Sequence, residues 1–168
     1  VREYADFHVA WATVWAARGA LRRRHEGGSA RRRIDARQSR SVTANVVGRL
    51  PGLSRQQIVL CAHYDTKVDT PGASDNASGV AVMLALAEEL CRQQQPYSLE
   101  FVAFTNEEYL PLGDDEYVRR RGRTFDQIDA LFNFDAVGLR SGPNTVAGFN
   151  LSPALQADVT ATLAHFPE

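Results

Sequence analysis

The sequence predicts an α/β domain with three layers, α/β/α, around a mixed and largely parallel β-sheet. Segments with a strand pattern alternate with segments with a helix pattern over residues 41–168, and such alternation is typical of helices packed on both faces of a sheet. The chain has 168 residues, of which 44% are hydrophobic and 23% charged, an ordinary composition for one globular domain. We therefore expect a single, partial domain, with residues 41–168 as its α/β core.

The N-terminal segment, residues 1–40, is predicted to be a packing helix followed by an arginine-rich loop. Phe7, Trp11 and Trp15 recur at the spacing of an amphipathic helix. The arginines of residues 22–40 have no interleaved aromatic residues for base stacking, and the net charge is −1, so no nucleic-acid partner is expected. The arginine cluster follows the apolar segment, which is the reverse of a signal peptide, and no stretch reaches the roughly 20 apolar residues of a membrane span.

The elements of the core follow from local pattern. Runs of β-branched and apolar residues predict strands at 41–50, 57–63, 98–105, 130–138 and 144–149. Helices are predicted at 76–92, 114–121 and 152–166. The first two strands flank a Pro-Gly turn and are expected to pair with each other. The first helix is apolar on nearly every face and is expected to be buried. Ser152 and Pro153 mark the start of the last helix, as N-cap and first helical residue.

Two features of composition carry further expectations. Cys61 lies in a strand and Cys91 at a helix end, and two cysteines do not make a disulfide framework, so both are expected to be buried free thiols. The chain begins at Val1, and its one methionine is Met83. We therefore expect a processed or excised piece of a longer protein.

Polar side chains that can bind metal follow the apolar runs 57–62, 99–104 and 130–134 of three predicted strands, and the turn before helix 76–92 adds more. They are His63, Asp65, Asp75, Asn76, Asn106, Glu107, Glu108 and Asp135. In α/β sheets of this kind, ligands bind in the crevice beyond the carboxyl ends of the strands. Side chains from four separate segments are therefore expected to meet at one edge of the sheet.

These residue types suit a pair of divalent metals. Zinc binds histidine nitrogen and carboxylate oxygen, and two metals a few ångströms apart share a bridging carboxylate. Asp75, on a tight turn before a helix, is placed to bridge. His63 and Asp65 are two residues apart and would point to the same side of an extended segment, so that Asp65 could hold the second imidazole N–H. Of the adjacent Glu107 and Glu108, one can bind metal while the other acts as a general base.

Each of these residues has an ordinary structural alternative. His63 alone is more often a hydrogen-bonded histidine at a strand end, and Asp75 and Asn76 alone are turn and N-cap residues. Asp135 could be a turn residue, and Asn133 could either support it or satisfy the strand edge. Because these residues come from four separate segments that end at the same edge of the sheet, the site interpretation is favoured over these alternatives.

Three motifs carry a family resemblance. The segments AHYDT…PGASDNASGVA, FVAFTNEEY…LG…YV and NFDAVG, within residues 43–149, resemble the co-catalytic two-zinc aminopeptidases of the aminopeptidase Y and aminopeptidase S group. Glutamate carboxypeptidase II and glutaminyl cyclase are more distant relatives of that group. The resemblance implies a zinc-exopeptidase fold of the phosphorylase/hydrolase-like type. It favours a secreted or periplasmic protein, although no residue assigns a compartment or an oligomeric state.

The resemblance also implies a ligand set and two zinc ions in a complete site. His63 and Asp135 would bind one zinc, Asp75 would bridge both, and Glu108 would bind the second. The peptide bond between Asp75 and Asn76 would be cis.

The implied function is that of an aminopeptidase, which removes N-terminal residues from peptides or small amino-acyl substrates by means of a metal-activated water. Glu107 would be the general base, and Asp65 would orient His63. Two other interpretations stay open: a glutaminyl cyclase-like transferase with a single zinc, and a catalytically inactive domain that binds a ligand. Asp135 and the matched motifs speak against the first, and the retained Glu107 speaks against the second.

The sequence departs from the family pattern beside the site. Leu110 and Pro111 stand where Gly-Leu is usual, and Asp114 stands where Ser is usual, whereas Gly113 and Tyr117 match. These changes bear on substrate preference more than on metal binding.

A larger departure is the absence of the downstream Ser-Asp-His loop, whose histidine is the fifth ligand in the family. His165 is predicted to be a solvated or capping residue at a helix end, and His8 and His25 match nothing. We expect the chain to end before the sheet and the site are complete, with one metal held well and the other poorly. The well-held metal would have His63, Asp75 and Asp135 as ligands.

Overall fold

The computed structural model describes residues 42–139 and 145–166. The predicted helix and arginine-rich loop of residues 1–40, together with His8 and His25, lie outside the described residues. The strands are β1 (Val46–Leu50), β2 (Gln57–His63), β3 (Ser98–Phe104) and β4 (Ile128–Asn133). The helices are α1 (Ser78–Leu90), α2 (Leu112–Arg121) and α3 (Pro153–Leu163), with an irregular turn at Ala73–Ala77 and a 3₁₀ segment at Gly122–Gln127.

The four strands form one mixed sheet in the order β1-β3-β2-β4. Strand β2 runs parallel to both β3 and β4, and β1 runs antiparallel to β3. The largely parallel sheet is therefore confirmed, but the predicted pairing of β1 with β2 is wrong. Strand β2 is apolar and buried along most of its length, so it takes a central place between two neighbours, whereas the mostly exposed β1 takes the edge.

Helices α1 and α2 pack on opposite faces of this sheet. The α1 side is built from Leu60, Ala62, Met83 and Leu99. The α2 side is built from Val59, Cys61, Val102, Phe104 and Tyr117. Successive residues of β2 thus enter different clusters, which is why a strand covered on both faces reads as a continuous apolar run. The three-layer α/β/α arrangement is confirmed.

Two predictions of burial are wrong. Helix α1 buries only one side: Met83 is packed against the sheet, while Leu84, on the outer side, is 58% exposed. No described element packs against that outer side. The apolar composition of α1 therefore did not predict correctly which of its faces are buried. Cys91, at the end of α1, is exposed, whereas Cys61 is a buried free thiol. Burial, followed by the nearby charge of Asp114, raises the pKa of Cys61 to about 12.

The C-terminal elements agree with prediction in part. Helix α3 begins at Pro153, and the Ser152 hydroxyl accepts a hydrogen bond from the Leu155 N–H at 3.2 Å, as expected of an N-cap. The strand predicted at 144–149 is wrong, because residues 145–149 form no strand and pair with no strand among the described residues. Val146 and Phe149 produced the strand-like sequence pattern, but both are exposed. No neighbouring strand among the described residues pairs with this segment and stabilises an extended conformation. None of the helices described is long and apolar enough to cross a membrane.

A buried carboxylate that sequence reasoning missed lies on the α2 side. Glu100, in the middle of β3, is 2% exposed. Its carboxylate accepts hydrogen bonds from Arg49 at 2.7 Å, from Arg121 at 2.6 Å and from the Tyr117 hydroxyl at 2.8 Å. The partners come from β1 and α2, so this network ties the edge strand and the helix to the centre of the sheet.

Candidate metal centre

Three of the predicted ligands, from three separate segments, lie together beyond the carboxyl end of β2. His63 is the last residue of β2, Asp75 lies in the turn before α1, and Asp135 lies two residues after β4. The His63 Nε2 atom is 3.1 Å from Asp75 Oδ1 and 3.4 Å from Asp135 Oδ1. One ligand atom from each residue lies within 4.8 Å of the other two. The imidazole is buried, and the two carboxylates are about half exposed.

This geometry fits a zinc ion. Ligand atoms bonded at 2.0–2.2 Å to a tetrahedral zinc are about 3.3–3.6 Å apart, close to the separations between His63 Nε2 and the two carboxylates. Nδ1 of His63 is 3.1 Å from the main-chain oxygen of Asp65, so an Nδ1–H tautomer directs the Nε2 lone pair at the carboxylates. Burial lowers the pKa of His63 while Glu107 and Asp135 raise it, and the net direction is upward. The carboxylates around Nε2 thus favour positive charge at this position, which a proton or a metal ion can supply.

Asp65 contacts His63 differently from the prediction. The main-chain oxygen of Asp65 accepts a hydrogen bond from the imidazole Nδ1–H, whereas the Asp65 carboxylate is 3.7 Å from Nδ1. The carboxylate instead accepts the main-chain N–H groups of Glu107 at 3.0 Å and Glu108 at 3.2 Å. Because β2 ends at His63, the two-residue alternation of a strand no longer applies at Asp65. This residue therefore links the histidine to the loop that carries the glutamate pair.

The turn that carries Asp75 is fixed by its neighbour Asn76. The peptide bond between them is cis, as the resemblance implied. The Asn76 side chain is fully buried: its oxygen accepts the N–H groups of Gly79 at 2.9 Å and Ala136 at 3.2 Å, and its nitrogen donates to the Phe134 oxygen at 2.8 Å. One amide thus joins the turn, the start of α1 and the segment after β4. The sequence suggested the capping role of Asn76, but no local pattern indicated its contacts with the segment after β4.

We expect Gly79→Ala to loosen this junction. A Cβ at Gly79 would overlap the Phe134 oxygen and the Asn76 side chain, and two of these atoms are hydrogen-bonded to each other. The predicted loss is about 1–3 kcal/mol of unfolding free energy, the usual cost of overpacking, measured by urea denaturation. Gly48→Ala is the matched control, because a Cβ there meets only Phe101 at 4.0 Å. Equal stability of the two variants would contradict this account.

Glu107, the predicted general base, lies at the edge of the three-residue group. Its Oε2 atom is 3.9 Å from His63 Nε2, and its side chain is partly exposed. Burial raises the pKa of Glu107, the His63 imidazole lowers it, and the charges of Asp135 and Glu108 raise it further, so that the net direction is upward. A carboxylate with a raised pKa is a better proton acceptor near neutral pH.

Glu108, the predicted ligand of a second zinc, is not part of the three-residue group. Its side chain is 5% exposed, and its carboxylate lies 2.9 Å from the ammonium group of Lys67, a contact that sequence reasoning missed. His165 is exposed after the end of α3 and is also not in the group. The Asn133 side-chain oxygen accepts a weak hydrogen bond from the Cys61 thiol at 3.6 Å.

A cavity of 280 Å³ opens beside the centre on the α2 side of the sheet. His63, Glu107 and Asp114 contribute to its polar part, and its apolar part includes Phe104, Tyr117, Phe125 and Leu131. Burial, then the charges of Asp115 and Asp65, raise the pKa of Asp114. The unusual aspartate at position 114 therefore lines a cavity next to the centre.

Residues 45–167 match the model of peptidase family M28. The chain belongs to this family. It is 37% identical over 82 residues to aminopeptidase YwaD of Bacillus subtilis, an alignment that covers 48% of this chain and 18% of the relative. The solved zinc aminopeptidase BSAP of B. subtilis is similar, with a TM-score of 0.53 and 33% identity, over 56% of this chain and 24% of that one.

A second solved structure, an aminopeptidase from Aneurinibacillus sp. strain AM-1, gives a TM-score of 0.54 at 28% identity and covers 57% of this chain and 25% of that one. The M28 chain thus spans about a fifth to a quarter of the length of the first curated relatives, with 18%, 25% and 21% of them covered.

Proposed function

We propose that this M28 domain belongs to a zinc-dependent aminopeptidase that removes N-terminal residues from peptides. The observation that carries the proposal is the group formed by His63, Asp75 and Asp135, with the Glu107 carboxylate 3.9 Å from the imidazole. Family membership and the aminopeptidase and zinc names of the relatives support the same activity.

Each residue has a role in this proposal. His63, Asp75 and Asp135 would hold zinc, which when bound polarises the scissile carbonyl and lowers the pKa of a bound water. Glu107 accepts the proton of the attacking water and passes it to the leaving amine. Asp65 positions both sides of the site, since its main-chain oxygen holds His63 and its carboxylate holds the N–H of Glu107.

A second zinc would use Asp75 as a bridge and Glu108 as a further ligand. The free amine of the substrate would dock on that side, where the family's additional histidine has no counterpart in this sequence. The position formed by His63, Asp75 and Asp135, whose ligand atoms lie together, would be the tighter one. Two zinc ions held with equal, high affinity by the 168-residue chain would contradict this part of the proposal.

The function is tested with aminoacyl p-nitroanilides on the protein expressed from its complete reading frame. We expect hydrolysis that dipicolinate abolishes and zinc restores, and no hydrolysis of the matching N-acetylated substrates. A peptide with N-terminal glutamine distinguishes hydrolysis from cyclisation. Hydrolysis that persists in chelator, or cyclisation without hydrolysis, would overturn the proposal, and no reaction with any peptide would favour a binding domain.

A further inference from the structure

The only lysine of the chain lies against the carboxylate of Glu108. The Lys67 Nζ atom is 2.9 Å from Glu108 Oε2; the lysine side chain is 59% exposed, whereas the glutamate side chain is 5% exposed. The hydrogen bond and charge of Glu108, followed by the charges of Asp75 and Glu107, raise the pKa of Lys67. A positive charge of the chain itself therefore lies among the carboxylates on the Glu108 side of the centre.

The main chain around Lys67 is held in place. Its carbonyl oxygen accepts hydrogen bonds from the Thr70 N–H at 3.1 Å and from the Thr70 hydroxyl at 2.7 Å. The next residue, Val68, donates its N–H to the Tyr109 hydroxyl at 2.8 Å, and Tyr109 directly follows Glu108 in the chain. The turn that presents the ammonium is thus tied to the segment that carries the carboxylate.

An ammonium and a divalent metal compete for one carboxylate. A lysine ammonium is a compact charge with three donors and no acceptor, so it can satisfy Glu108 but cannot coordinate a metal. A divalent ion bound to the same oxygen would have to displace the ammonium and would remain repelled by it at short range.

We propose that Lys67 is a built-in cation that occupies Glu108 and disfavours a second divalent metal, so that this chain selects a single zinc. The inference rests on the proposed metal centre and adds a residue that decides how many metals it holds. Lys67 is a selectivity residue here and not a ligand, since it acts through Glu108.

The test is zinc titration of the full chain against a chromophoric chelator, with metal content measured by atomic emission. We expect the wild type and Lys67→Met both to hold the first zinc, since Glu108 is not among its three candidate ligands. The second zinc should bind at least about fivefold more tightly to Lys67→Met, as removal of one unit charge a few ångströms away predicts even in water. Lys67→Arg keeps the charge and should behave as the wild type.

Acetylation of the wild type removes the charge without a substitution and should give the same gain in affinity. Acetylated Lys67→Met controls for the N-terminal amine. Equal affinity for the second zinc in the wild type, the acetylated wild type and Lys67→Met would overturn the role of Lys67 and leave the first site intact. Absence of any tightly bound zinc would overturn the metal centre, and this inference with it.

Discussion

Glu107→Gln is expected to lower kcat for aminoacyl p-nitroanilide hydrolysis by about 10²–10⁴-fold, the usual contribution of a general base, with zinc content unchanged. Glutamine has the shape of glutamate but cannot accept the proton of the attacking water. The main-chain N–H of residue 107 would still donate to Asp65, so the loop should keep its place. Residue 107 is also outside the three-residue ligand group.

The measurement pairs steady-state kinetics with zinc content for each variant. Glu89→Gln is a suitable control, because Glu89 is an exposed glutamate on α1 whose partner Arg92 is also exposed, and such surface pairs contribute little to stability. A loss of zinc that matches the loss of rate would make Glu107 a ligand rather than a base. An unchanged rate would remove it from the chemistry altogether.

The candidate metal-binding group could be predicted from the sequence because its members follow local patterns. His63 ends an apolar run, Asp75 precedes a helix, and Asp135 follows another apolar run. Parallel strands bring such ends to one edge of the sheet. The convergence of these three side chains therefore follows from the topology, and their proposed roles remain predictions.

The features that local pattern missed depend on contacts between distant residues. Strand β3 lies between β1 and β2 in the sheet. This strand order follows from the burial of β2 on both faces, and the turn between β1 and β2 does not determine it. The contact of Lys67 with Glu108 joins two loops 41 residues apart in sequence, a separation that residue spacing cannot predict. The exposed outer side of α1 likewise depends on what packs there, and composition alone does not reveal it.

Glu100→Leu is expected to destabilise the fold by about 3–5 kcal/mol, the usual cost of breaking a buried ion pair from one side. The substitution would leave Arg121, which is 9% exposed, without the carboxylate that lies 2.6 Å from it, and the Tyr117 hydroxyl without its acceptor. The double variant Glu100→Leu/Arg121→Met removes both charges and should recover a large part of the loss. Urea denaturation of the two single variants and the double variant measures the coupling.

The same network predicts how stability depends on pH. Burial opposes ionisation of Glu100, but hydrogen bonds from Arg49, Tyr117 and Arg121 outweigh it and lower the pKa below the ordinary value of 4.5. A carboxyl whose pKa is lower in the folded state stabilises the fold above its unfolded pKa, and this contribution is lost as pH falls through the folded pKa. The wild type should therefore lose more unfolding free energy than Glu100→Gln as pH falls from neutral to below 4.5. Parallel acid profiles for the wild type and Glu100→Gln would show that the partners do not stabilise the Glu100 carboxylate. For the ion pair, a double variant Glu100→Leu/Arg121→Met that is as unstable as Glu100→Leu would show that the destabilisation does not come from an uncompensated Arg121.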